Sequence, residues 1–386
     1  MRSPMASHTL VMALGFIGLV ALDGACGSFK NGGSGAGPGV DGGGDATGSS
    51  GGSSGGSSSS GGSSGGSSSS GGSSGGSSSS GSSSGSSSGG SSSGPGNVTS
   101  VVLFGGDNLA SSTTDMWTYA GSSWAAMTPK PAPPHREQAA MAMLNGNVVL
   151  FGGSPSGEGD VVGDTWTWSG TAWTQLKPAH SPPPRSGHSM ATLGGSVVLF
   201  GGTTGTMLLA DTWTWDGNDW TEHVTAPPGA RQGAMMATLG ASVVLFGGVG
   251  GADMFTELSD TWTWNGSTWS MPSSSNSPTA RDSGVAVAMG GKIVLFGGQD
   301  LNSAPLADTW IWDGSNWSQE NGLALSPPAR LAAGAAVFQG QLVLFGGTTN
   351  NGNDLEDTWI WDGTMWFQGP TVGPTDRAWP AMIGPG

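Results

Sequence analysis

From residue 101 onward the hydrophobic pattern repeats. The hexamer Val-Val-Leu-Phe-Gly-Gly stands at 101–106, 148–153, 197–202 and 243–248, with variants at Ile293–Gly298 and Leu342–Gly347. Successive Phe residues are 47, 49, 46, 50 and 49 apart. A run that is apolar at every position predicts a strand covered on both faces. After each Gly-Gly come eight to eleven variable residues and then Asp-x-Trp-x-Trp, with Tyr119 for the second Trp in the first repeat. That alternation of period two predicts a third strand. A short turn follows, as in Trp215-Asp216-Gly217-Asn218-Asp219-Trp220, and leads into a fourth strand. A Pro-rich approach then reaches an Arg and a strand of small and apolar residues, such as His188–Leu193. Gly194-Gly195 turns that strand back into the next apolar run. Each unit therefore predicts four antiparallel strands, and a period near fifty residues predicts a propeller or solenoid.

The pattern has one irregularity. Val98 leads directly into a second strand, whereas Arg377–Gly384 reads as a first strand with no second strand after it. Pairing the two completes six sheets in a closed ring, which removes the free edges of an open array. The apolar run, the Gly-Gly and the following aromatic and Trp resemble the bacterial kelch repeat across all six units. The spacing departs from that family where Trp215 and Trp220 stand five apart, which predicts a tight turn between strands three and four. The resemblance implies an all-β fold, a six-bladed kelch-type β-propeller over 98–386, closed by the C-terminal strand.

The first 97 residues differ in kind. Arg2 and the apolar run Leu10–Leu22 read as an export signal over 1–25, too short to span a bilayer as a helix. The run ends in Leu22-Asp23-Gly24-Ala25-Cys26, which resembles the lipobox of bacterial lipoproteins; Asp23 departs from it. Cys26 is the single cysteine of the chain and the expected lipidation site; with no second Cys, disulfides cannot stabilise the fold. Residues 26–97 read as a disordered tether, with three copies of one Gly/Ser decamer at 51–60, 61–70 and 71–80. Such a chain has a reach of about 45 Å. The implied location is the cell envelope, as an outer-membrane or surface lipoprotein; ordinary cleavage after Ala25 would make the protein secreted instead.

Charge and composition remove several functions. Acidic residues outnumber basic ones 26 to 11, so no basic surface is available for nucleic acid. The chain holds 18 Trp, and 17 of them occupy repeat positions beside apolar strands, where packing between neighbouring sheets is the expected role. Trp379 is the exception, lying in the closing strand where other units carry small residues. Arg136, Arg185, Arg231, Arg281, Arg330 and Arg377 match Asp115, Asp164, Asp211, Asp260, Asp308 and Asp357 one to one. This predicts an Arg fork on a carboxylate or loop carbonyls at each blade junction; a six-Arg anion site is the alternative.

No catalytic constellation emerges. Galactose oxidase, which shares the kelch fold, needs a Tyr–Cys crosslink and a further Tyr, but Tyr119 is the sole Tyr and Cys26 lies outside the head. The same shortage removes a sialidase-type Tyr nucleophile. His135, His180, His188 and His223 show no metal-ligand spacing and read as solvent-facing loop residues. Glu158/Asp160 and Asp354/Glu356 lack the order of a calcium loop. No cofactor or metal is expected.

The long loops, after Gly-Gly and before Arg, fall on one rim and differ between units, which is where binding belongs. The candidate ligand-face residues there are Asp107, Asn108, Glu137, Gln138, His188, Gln232, Asp282, Gln299, Asp300 and Asn350. The expected function is a non-catalytic head, monomeric, binding a protein or a glycan. The alternative is an enzyme resembling the kelch-type sialic-acid mutarotases, with Glu137, His188 and an Arg as its working groups.

Overall fold

The computed structural model describes residues 97–107, 116–155, 160–226, 228–251 and 256–385. The signal segment, Cys26 and the tether to residue 96 lie outside the described residues, as do Asn108, Asp115 and Glu158.

Six four-stranded antiparallel sheets, called blades I to VI here, account for the repeats. Blade III is representative, running Ser189–Leu193, Ser196–Phe200, Thr212–Trp215 and Trp220–His223 from the inside outward. Its second strand is buried from Val197 to Phe200 because neighbouring blades cover both faces. Blade I is assembled from both ends of the repeat region. Ala381–Ile383 pairs with Val102–Phe104, which continues through Met116–Tyr119 to Trp124–Met127. The inner strands touch in a cycle: Ala140–Leu144, Ser189–Leu193, Met235–Leu239, Val285–Met289, Gly334–Phe338 and Ala381–Ile383, which returns to Ala140–Leu144.

One aromatic unit seals each blade against the one before it. Trp220 of blade III packs on Phe151 of blade II with ring centroids 5.2 Å apart, and its Nε1 donates to Thr165 Oγ1 at 3.0 Å. Trp269, Trp317 and Trp366 repeat the arrangement on Phe200 with Thr212, Phe246 with Thr261, and Phe296 with Thr309. Across the closure, Trp124 of blade I packs on Phe345 of blade VI and donates to Thr358. The junction of blades I and II differs: the Thr position holds Met116, so Trp173 Nε1 approaches a sulfur at 3.3 Å. Buried indole N–H groups need acceptors, and this geometry supplies one at every junction.

The Arg does not open the first strand as the hydrophobic pattern suggests. Regular pairing begins four residues later, because the second residue after each Arg has a left-handed backbone. In blade IV, Arg231–Gln232 instead forms a small three-stranded sheet with Val249–Gly250 and Thr256–Glu257.

Candidate functional site

The rim carrying the long loops is built on the Arg and Gly-Gly positions. The first Gly of each pair has φ between 64° and 69°. In blades II to VI, a Cβ there would sit 2.5 to 2.7 Å from the carbonyl oxygen of the next blade's Arg. Only Gly fits both demands. The second Gly donates its N–H to that same carbonyl, as Gly153 does to Arg185 at 2.9 Å and Gly202 to Arg231 at 2.8 Å.

The Arg side chain turns back into its own blade. Arg185 donates from Nη1 and Nη2 to Asp211 at 2.7 and 2.6 Å, from Nη1 to the Gly201 carbonyl, and from Nε to the Pro183 carbonyl. Arg136–Asp164, Arg231–Asp260, Arg281–Asp308 and Arg330–Asp357 repeat the fork. Arg377 donates to the Gly105 carbonyl and to Thr375; its Asp115 counterpart lies outside the described residues. The expectation of a fork at the blade junction is therefore corrected: the side chain ties three strands of one blade, and only the Arg backbone carbonyl crosses the junction. Burial alone would raise each Asp carboxyl, but the Arg fork and the N–H of the Trp two residues later outweigh it and hold the carboxyl below its ordinary range. With these guanidinium donors committed and the Arg side chains buried, the ring of Arg is structural and presents no anion site.

A second ring encircles the axis just inside the first. The residues two after each Arg are Gln138, Gly187, Gly233, Ser283, Ala332 and Trp379, with φ between 54° and 65°. Each donates its N–H to the carbonyl of its counterpart in the preceding blade. Gly187 bonds Gln138 at 3.0 Å, Gly233 bonds Gly187 at 2.9 Å, and Ser283 bonds Gly233 at 2.9 Å. Ala332 bonds Ser283 at 2.8 Å, Trp379 bonds Ala332 at 2.7 Å, and Gln138 closes the cycle on Trp379 at 3.4 Å. Four of the six are not Gly, so the closed cycle of bonds offsets a left-handed backbone that L-residues otherwise avoid. A cavity of about 190 Å³ adjoins this ring, lined by His188 and by residues of all six inner strands, including Met141, Met190, Met236 and Met382.

The position one after each Arg carries the side chains that differ most: Glu137, Ser186, Gln232, Asp282, Leu331 and Ala378. Each is paired through its backbone to the residue after a Gly-Gly, as Ala378 is to Asp107 and Glu137 to Ser154. Two of them are buried carboxyls. Asp282 is 4% exposed, and its carboxyl accepts from the Ser283 hydroxyl and from Gln299 Nε2 at 3.2 Å. Burial nevertheless raises it to about 6. Glu137 is 6% exposed, and no donor among the described residues hydrogen-bonds its carboxyl. Burial, and then the charges of Asp107 and Asp354, raise it to about 7.

Glu137 and Asp282 are thus buried members of the candidate ligand face, and the reading of His188 as a solvent-facing loop residue is corrected. His188 is 6% exposed because its ring fills the space between blades II and III, edge-on to Phe151 at 5.6 Å. Neither ring nitrogen has a hydrogen-bond partner, the Phe151 backbone approaching without the geometry for one. Burial and the Arg185 charge push it down to about 3, so the ring is neutral. Asp107 and Asn350 are exposed, whereas Gln138, Gln232, Gln299 and Asp300 are half-buried. Asp300 caps its own turn through the Asn302 and Ala304 N–H groups. Trp379 was singled out by its place in the closing strand; its left-handed backbone was invisible in sequence, since Gln, Gly, Ser, Ala and Trp share no side-chain signal there. Among the described residues, no three His, Cys, Asp or Glu side chains are grouped to hold a metal ion.

A family model described as the KLHDC2/KLHL20/DRC7 Kelch-repeats domain matches residues 79–248. No curated protein matches the chain. Together, the match and the repeated four-stranded sheets fit a kelch-repeat β-propeller.

Proposed function

We propose that the propeller is a non-catalytic binding head whose rim recognises a protein partner. One observation carries the reading. The repeat is nearly invariant along its second and third strands, and the variation gathers at the rim, in the positions after each Arg and in the loops before them. A rigid scaffold with a variable rim is the arrangement of a recognition module. The junction Trp rings are buried on Phe with their N–H groups committed, which favours a structural role for them over a glycan surface. The mutarotase reading would put to work His188, a neutral and largely buried ring in the lining of the inner-strand cavity.

The same proposal places the head at the cell envelope, tethered through Cys26 by the Gly/Ser segment. Photo-crosslinking amino acids at Asn350 and Asp107 on the rim, and at Asp216 and Asp313 in the opposite turns, test the binding face in cells. Protein adducts are expected from the rim pair alone; adducts from the turn pair alone would overturn the reading. Membrane fractionation of Cys26→Ser tests the anchor, since loss of membrane association is expected and unchanged partitioning would remove it.

A further inference from the structure

The rim where blade I meets blade II holds a charge problem that the fold does not create. Glu137 occupies a position filled elsewhere by Ser, Gln, Asp, Leu and Ala, so the backbone there requires no carboxylate. Asp282, its counterpart in blade V, is buried with two hydrogen-bond donors, whereas none among the described residues donates to the Glu137 carboxyl. Its oxygens are not among the buried polar atoms sealed without a partner, so a donor from outside the chain can reach them.

Its surroundings indicate what that is. Gly106 donates its N–H to the Arg136 carbonyl, which puts Asp107 beside Glu137. Asp107 exchanges two backbone hydrogen bonds with Ala378, next to the half-buried Trp379. Asp354, whose carboxyl accepts from the Thr348 hydroxyl at 2.7 Å, lines a cavity of about 380 Å³ with Leu355, Glu356, Asp357 and Asp376, and its charge extends to Glu137. No cation of the described chain answers this group. Arg136 is turned to Asp164, Arg330 to Asp357, and Arg377 to Gly105 and Thr375. The carboxyls are not grouped to hold one metal ion. A cation that carries several N–H donors can bridge acceptors set wider apart.

We propose that this part of the rim binds a basic side chain of the protein partner, a lysine ammonium or an arginine guanidinium, with Glu137 and Asp107 as acceptors and Asp354 adding to the negative charge around them. The proposal rests on the rim being the recognition face and adds the chemistry of what is recognised. The indole of Trp379, one residue from the Asp107 bridge, offers an apolar face for the stem of such a side chain.

The test titrates the 15N-labelled full chain with acetylated, amidated Gly-Gly-X-Gly-Gly peptides, with X as Arg, Lys, acetyl-lysine or Glu. Saturable shifts are expected at the amides of Glu137, Asp107 and Asp354 with Arg and Lys, and none with acetyl-lysine or Glu. Glu137→Gln should weaken binding by about tenfold or more, as loss of one partner of a buried charged contact does. Asp107→Asn, a change at an exposed position that the fold tolerates, should weaken it also. Glu222→Gln, an equal change of charge on the exposed outer strand of blade III, should leave it unchanged. Binding that survives acetylation, or that ignores both Glu137→Gln and Asp107→Asn, overturns the proposal. So does saturation of the same amides by calcium chloride alone. If the crosslinks above still map to the rim, only the basic-ligand proposal has failed; crosslinks elsewhere remove the rim reading itself.

Discussion

Glu137 makes a measurable liability of a single carboxyl. Its folded value of about 7 lies above the ordinary 4.5, so the folded protein holds the proton over a range in which the unfolded chain has lost it. Stability therefore falls as pH rises from about 4.5 to 7, by about 3 kcal/mol in all. Glu137→Gln copies the protonated form, so it should melt above the parent at pH 8 and with it at pH 4.5. His188 works in the opposite direction. With a folded value near 3 against an ordinary 6.5, it is neutral when folded and charged when unfolded, and it removes stability as pH falls through that window. His188→Phe should flatten the decline of melting temperature between pH 6 and pH 4, measured by calorimetry. Neither effect was legible in the sequence. Rim position and polarity could be read for both residues, but burial arises from the neighbouring blade and leaves no trace in local pattern. The Asp-x-Trp motif, by contrast, announced its carboxylate because the acceptor, the Trp that donates to it and the Arg recur together.

At the scale of the element, the unit that matters is the outer Trp with the Phe and Thr of the preceding blade. Trp220→Ala removes a buried ring and leaves the Thr165 hydroxyl without its indole donor, so a loss of about 3–5 kcal/mol is expected in chemical denaturation. Thr165→Val keeps the volume and orphans the indole N–H, which should cost about 1–3 kcal/mol. The closing strand is a second element with a defined role. Removing Arg377–Gly386 strips Val102–Phe104 of one pairing partner and exposes its edge, so the truncated chain should melt at a lower temperature and less cooperatively. Equal melting of the two chains would contradict the pairing. Strands and their order could be read because period-two and all-apolar runs are local signals. The start of each inner strand could not, because the residue that delays it has the same φ whether it is Gly187 or Trp379.

For the whole molecule, five Arg–Asp forks set the lower pH limit. Their carboxyls sit below the ordinary range, so the stability they contribute is present above about 3.8 and is lost as pH falls through their folded values. The head should therefore lose melting temperature steeply below pH 4, and moderate salt should change this little because the guanidiniums are buried. The closed cycle of six backbone bonds has a further consequence. A chain of hydrogen bonds with two ends can fray from either, but a cycle has no end. Separating any blade from its neighbours breaks two of the six at once, those its own residue donates and accepts. In deuterated solvent the amides of Gln138, Gly187, Gly233, Ser283, Ala332 and Trp379 should therefore exchange together, at one rate set by parting of the ring, although their side chains and solvent exposure have little in common.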